Sequence, residues 1–142
     1  MPSASLIKEF EQLVGKENVF SSEADRQSYA YDAAVLKPMI PSLVVRPTEV
    51  EQLGQVVKRC YEEGIPMTVR GSGTNLTGGT IPDCSDTIVI LTTGLNKILE
   101  INTEDLYATV QPGVITAKFP AAVAAKGLFY PPDPGSMSVS TI

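Results

Sequence analysis

Leu6, Phe10, Leu13 and Val14 recur at the three- and four-residue spacing of one helix face, which predicts a helix over residues 5–14 that Ser5 caps and Gly15 ends. Residues 21–40 carry no such period. Ser22-Glu-Ala-Asp25 reads as a short capped helical turn, and Tyr29, Tyr31 and Asp32 precede a proline-bounded segment. From Pro41 the pattern sharpens: Ser42-Leu-Val-Val-Arg46 is a strand, and Thr48-Glu-Val-Glu51 has the spacing of a capping box that opens a helix over 48–63. Val50, Leu53, Val57, Cys60 and Tyr61 mark the apolar face of that helix, Gly64 ends it, and Met67-Thr-Val-Arg70 follows as a second strand. A strand, a helix and a strand within about thirty residues form a βαβ unit whose strands run parallel.

Thr87-Ile-Val-Ile-Leu91 is a continuous apolar run and predicts a buried strand. Ile98-Leu-Glu-Ile101 and Tyr107-Ala-Thr-Val-Gln111 flank the polar Asn102-Thr-Glu-Asp105 and predict an antiparallel hairpin that turns the sheet mixed. An Ala-rich helix over 116–126 has Pro120 in its first turns and Gly127 at its end. The predicted fold is α/β, in the looser sense α+β: a small mixed sheet with a parallel βαβ core flanked by helices. Residues 1–40 form a helical segment ahead of a lobe spanning 41–142.

The strand ending at Arg70 runs into ten residues, Arg70 to Gly79, that hold four glycines, three hydroxyls and one amide. Glycines let a backbone reach positive φ and approach a ligand closely, so successive N–H groups converge on an anion while Ser72, Thr74, Asn75 and Thr77 add polar side chains. Gly71-Ser-Gly73 is not a dinucleotide fingerprint, since the third glycine position is Leu76, and no Gly-Lys-Ser/Thr follows to make a Walker loop. Ile81-Pro82 argues against a helix starting after the loop, so any phosphate here is held by loop backbone.

Composition narrows the chemistry. The chain has 142 residues, 43% of them hydrophobic, and a net charge of −5 with its eleven Lys and Arg scattered, which argues against nucleic-acid and anionic-membrane binding. It has no apolar run of membrane-spanning length and no basic, hydrophobic leader, which predicts a cytoplasmic protein. Cys60 and Cys84 follow no metal spacing and read as reduced thiols, Cys60 as a packed one. Histidine is absent, which removes the Ser-His triad and the commonest general base and metal ligand from this chain. Asp32 and Asp133 read as structural carboxylates, because Asp133 sits between prolines in a turn and Asp32 has no acid or base near it in sequence.

The motifs Tyr31-Asp32, Val44-Val-Arg-Pro47, Gly64-Ile-Pro66, Arg70-Gly-Ser-Gly-Thr-Asn-Leu-Thr-Gly-Gly79, Val110-Gln-Pro-Gly-Val114, Gly127-Leu-Phe-Tyr-Pro-Pro-Asp-Pro-Gly-Ser136 and Ser140-Thr-Ile142 span nearly the whole chain. In that order they resemble the first half of the FAD-binding domain of FAD-linked oxidases of the vanillyl-alcohol oxidase and p-cresol methylhydroxylase type. The branch they most resemble is that of the glycolate oxidase D subunits and D-lactate dehydrogenases. The resemblance implies that the loop from Arg70 wraps the FAD pyrophosphate and that the Pro-Asp-Pro loop lines the other side of the cofactor. The implied FAD-binding residues are Arg70, Gly71, Ser72, Gly73, Thr74, Asn75 and Gly78 from the first loop, and Asp133, Pro134, Ser136, Thr141 and Ile142 from the second. Some relatives attach FAD covalently through a histidine; without one, this chain binds it non-covalently.

The same resemblance implies a flavin-dependent 2-hydroxy-acid dehydrogenase or oxidase, in which flavin N5 takes a hydride from the substrate α-carbon, and partner subunits that hold it at a membrane periphery. The Pro-rich, hydroxyl-rich segment at the end of the sequence reads as an interrupted loop. The substrate site and catalytic residues are then expected beyond Ile142, and the 142 residues alone are expected to be inactive, to bind FAD weakly or not at all, and to self-associate. The competing reading is a non-catalytic nucleotide-binding or assembly subunit that uses the same loop as a phosphate nest.

Overall fold

The computed structural model describes residues 2–142. In chain order its elements are α1 (Ala4–Val14), β1 (Val19–Phe20), α2 (Glu23–Gln27), β2 (Leu43–Val45), α3 (Val50–Glu62), β3 (Met67–Arg70), β4 (Ile88–Leu91), β5 (Ile98–Asn102), β6 (Tyr107–Val110) and α4 (Lys118–Ala124). The expected α/β fold is present. The main sheet has the order β1-β2-β4-β3, with β4 parallel to both β2 and β3 and β1 antiparallel to β2. The βαβ strands are therefore parallel as predicted, but β4 is inserted between them.

β2 and β4 are the central strands and are buried along their whole length, which is why they read as continuous apolar runs rather than alternating ones. On one face, Leu43, Val45, Ile88 and Ile90 pack against Leu6, Phe10 and Val14 of α1 and Val56 and Cys60 of α3. On the other face, Val44, Val89 and Leu91 meet Phe20 and Tyr29. Each fully buried side chain of this size contributes roughly 1.5–3 kcal/mol. The first forty residues thus share the core of the sheet, with β1 paired to β2.

Three details differ from the sequence reading. Ser3, not Ser5, caps α1: its hydroxyl accepts from Leu6 N at 3.1 Å, and Ser5 is the second residue of the helix, exposed. The capping box of α3 is shifted by one residue. Glu49 is the cap, and the Gln52 side chain reaches back to accept from Glu49 N at 3.1 Å and Thr48 N at 2.9 Å. The buried ridge of α3 is Leu53, Val56 and Cys60, whereas Val50 and Tyr61 are exposed, because a step of one residue turns a side chain about 100° around the helix.

The hairpin of β5 and β6 is antiparallel as expected, yet it does not extend the main sheet; the mixed character comes from β1. A 3-10 turn at Thr92–Gly94, packed closely on Pro47, redirects the chain after β4. Gly113 N then donates to Leu95 O at 2.7 Å and ties the far end of the hairpin back to that turn. This bend carries the last third of the chain round to the carboxyl edge of the sheet.

Candidate functional site

The glycine loop leaves the carboxyl end of β3, and open parallel sheets bind their ligands at that edge. Gly73 and Gly78 have φ of 71° and 75°, so the loop needs residues without a Cβ at both. Side chains also crowd the place of a Cβ at Gly73 and Gly71. A Cβ on Gly73 would run into the Arg70 guanidinium, and one on Gly71 into the Thr141 hydroxyl. The first and second loops therefore touch at Gly71 and Thr141.

The Arg70 side chain is folded under its own loop. It is 7% exposed, its Nη1 donates to the Tyr31 carbonyl at 2.6 Å and to Thr80 Oγ1 at 3.4 Å, and the guanidinium lies 5.7 Å from the Tyr29 ring centroid. Burial lowers its pKa and the nearby Asp32 charge opposes that shift; a guanidinium stays protonated regardless. Asp32, also buried, completes the arrangement. Its Oδ1 accepts from Ala34 N at 2.8 Å and its Oδ2 from Asn75 Nδ2 at 2.6 Å, with Thr80 Oγ1 at 3.3 Å. Burial pushes the Asp32 carboxyl up, but the hydrogen bonds from Ala34, Asn75 and Thr80 outweigh it and hold the pKa below the usual carboxylate value.

The second loop is pinned at its end. Thr141 bridges Ile115, Thr116 N donates to Ser140 O at 2.8 Å, and Ile142 N donates to Val114 O at 3.0 Å. Ser140 N and Val139 N both donate to Ser136 O, which closes a tight turn and sets Ser136 across from the glycine loop. Between them lies a cleft of about 480 Å³ lined by Ser28, Tyr31, Asp32, Ala33, Arg70, Ser72, Gly73, Thr74 and Ser136.

Of the residues singled out in the sequence, the structure brings Arg70, Ser72, Gly73, Thr74 and Ser136 together in this cleft, with Gly71 and Thr141 in contact beside it. Asn75 turns toward Asp32, and Gly78 lies against Leu36 at the far end of the loop. Asp133 and Pro134 are exposed at a turn closed by Met137 N on Pro134 O, and neither lines the cleft. Ile142 lies in a separate apolar groove of about 540 Å³ with Phe119, Val123, Phe129 and hairpin residues Tyr107 and Val110. Sequence reasoning took Asp32 as a structural carboxylate without finding its partners, and passed over Thr80. Spacing could not reveal them, because Asn75 and Thr80 lie 43 and 48 residues from Asp32.

The cleft has the donor chemistry of an anion cradle. Among the described residues, the backbone N–H groups of Ser72, Gly73 and Thr74 and the hydroxyls of Ser72, Thr74 and Ser136 make no hydrogen bond, so they are available to a ligand. Such unpaired donors beside glycines in one cleft suit the two phosphates of a dinucleotide, and each charge-assisted bond contributes roughly 1.5–3 kcal/mol.

Comparison with known proteins defines the class. The model of the FAD binding domain family matches residues 41–142, and the chain belongs to that family. The glycolate oxidase subunit GlcD of Bacillus subtilis is 47% identical over 131 residues, which cover 92% of this chain and 28% of that protein. A D-lactate dehydrogenase of Anaerostipes hadrus is 31% identical over 130 residues, covering 92% of this chain and 27% of that one. A crystal structure of p-cresol methylhydroxylase with substrate bound superposes with a TM-score of 0.83 and 26% identity, over 96% of this chain and 27% of that one. The chain thus spans less than a third of the length of the relatives it matches. The family and the cofactor read from the motifs, FAD, are those found. Among the described residues, no helix is long and apolar enough to cross a membrane.

Proposed function

We propose that this chain supplies the diphosphate-binding half of an FAD site in a flavin-dependent oxidoreductase that acts on 2-hydroxy acids of the glycolate and D-lactate type. The observation that carries the reading is the cluster of unpaired donors on Ser72, Gly73, Thr74 and Ser136, at the carboxyl edge of the sheet and inside the matched family region. Ser72, Gly73 and Thr74 hold the phosphates from one side and Ser136 from the other. Gly71 and Thr141 set the spacing of the two loops, and Asn75, Gly78 and Arg70 brace the first loop from behind. Asp133, Pro134 and Ile142 act through the shape of the second loop, Ile142 by anchoring its end on Val114.

Bound FAD supplies a two-electron acceptor, which oxidation of a carbon bearing a hydroxyl requires. The 142 residues hold no histidine to carry a flavin link, so this half of the site holds FAD non-covalently. Selection of the hydroxy acid, its catalytic groups and contacts to further oxidase subunits fall outside the cleft described. The apolar groove around Phe119, Phe129 and Leu106 is where copies of the isolated chain self-associate.

The protein purified from cells tests this directly. Denaturation is expected to release free flavin that passes a filter, and glycolate or D-lactate should reduce a dye acceptor in preparations that retain it. The isolated 142-residue chain should show no turnover. Absence of flavin from the native protein, or turnover by the isolated chain, contradicts the proposal.

A further inference from the structure

We propose that Asp32 is the positioning residue of the glycine loop, its carboxylate holding Asn75 and Thr80 from beneath so that Ser72, Gly73 and Thr74 stay open toward the cleft. The inference rests on the reading of that cleft as a diphosphate site. A carboxylate in the lining of an anion cleft is an unexpected choice, since its charge repels the ligand. The geometry explains what it does there. The two oxygens have separate tasks: Oδ1 closes the local turn by accepting from Ala34 N at 2.8 Å, and Oδ2 reaches across the fold to Asn75 Nδ2 at 2.6 Å and Thr80 Oγ1 at 3.3 Å.

These contacts close a ring around the loop. Arg70 begins it, Asn75 is its midpoint and Thr80 its end; Thr80 Oγ1 lies 3.1 Å from Asn75 Oδ1 and 3.4 Å from Arg70 Nη1. A carboxylate is acceptor-only and suits a position that receives Asn75, Thr80 and Ala34 at once. It also balances the buried guanidinium of Arg70, so attraction for an anion is left to the backbone N–H groups and hydroxyls of 72–74. Flexible glycines would otherwise sample many shapes, and ordering them beforehand removes that cost from binding.

Asp32→Asn separates this role from electrostatics, because the two predict opposite signs. The amide keeps the size but has one acceptor oxygen, so it serves either Ala34 or Asn75, and its NH2 opposes a donor. If Asp32 acted by charge alone, its removal would tighten FAD binding. As a positioning residue, its loss weakens FAD binding tenfold or more and raises amide hydrogen exchange of residues 71–79 tenfold or more. Exchange in Leu43–Val45 and Ile88–Leu91 should stay within about twofold of the parent.

Asn75→Ala should reproduce the effect, and the double variant should be no worse than either single one. If Asp32→Asn unfolds the chain, Asn75→Ala decides the matter alone. Unchanged exchange in 71–79, tighter FAD binding, or additive single effects overturns the proposal. Failure of the parent chain to bind FAD at millimolar concentration would instead sink the diphosphate reading, and the exchange measurement would still score Asp32.

Discussion

Gly73→Val concentrates the physical argument for the cradle in one position. Gly73 has φ of 71°, a conformation that costs an L-residue about 1–2 kcal/mol, and a β-branched side chain sits at the upper end. The new Cβ also collides with the Arg70 guanidinium, which has no room to yield because it is 7% exposed and bonded to the Tyr31 carbonyl at 2.6 Å. Giving up that charge-assisted bond costs about 1.5–3 kcal/mol. Together the two penalties reach about 2.5–5 kcal/mol, less than a domain's usual stability, so the loop relaxes while the sheet survives. The shape that presents the N–H groups of 72–74 is then lost, and FAD affinity should fall about 50-fold or more. Binding can be followed by amide chemical shifts on titration of the labelled chain with FAD, with thermal melting as a check on folding. Gly54→Ala is the control of opposite sign: a Cβ there meets nothing within 4 Å, and the helix gains about 0.5–1 kcal/mol. An FAD affinity for Gly73→Val within about threefold of the parent would refute the reasoning.

Thr74→Ala removes one hydroxyl from the cleft and leaves the backbone donors, so FAD affinity should drop about tenfold, clearly less than for Gly73→Val, in the same titration. Gly113→Ala drives a Cβ into the carbonyls of Thr92 and Leu95, backbone that cannot turn aside, and should destabilise the fold by about 1–3 kcal/mol or more in urea. Burial pushes the Cys60 thiol up to about 11, so stability is fully present below the ordinary thiol pKa and is lost as pH rises toward 11; Cys60→Ala should flatten that decline, whose slope reaches up to about 1.4 kcal/mol per pH unit. Under native conditions a thiol reagent should modify the exposed Cys84 and spare Cys60, as mass spectrometry of tryptic peptides would record. Dissociation of self-associated chain on replacing Phe129, 85% exposed beside the apolar groove, by Ser would be seen in sedimentation velocity, and an unchanged profile places the contact elsewhere.

Much of the fold is legible in the sequence because its strands are short apolar runs bounded by Gly and Pro, and two of them, β2 and β4, are buried on both faces. Periodicity found α3 but misjudged its face, since Val57 and Tyr61 share the spacing of a buried stripe while only the ridge through Val56 and Cys60 meets the sheet. Strand order was hidden because it depends on how the connection between β3 and β4 returns the chain to lie beside β2, and the separation of the hairpin because it depends on the turn at Thr92–Gly94, neither of which any strand's own pattern records. The glycine loop announced itself by composition. The support beneath it did not: Asp32 looked isolated in the sequence, and its partners at 75 and 80 become neighbours only when the loop folds back over Arg70.

The central claim is that the loop from Gly71 to Asn75, with Ser136 opposite, holds the diphosphate of FAD. Titration of the isotope-labelled chain with FAD and, separately, with riboflavin, which carries the flavin ring but no phosphate, tests it most directly. FAD should shift the amides of residues 71–75, 136 and 141 with a dissociation constant above about 1 μM, and riboflavin should leave them unmoved at the same concentration. Equal shifts from riboflavin, or FAD shifts confined to residues away from these two loops, would contradict the account.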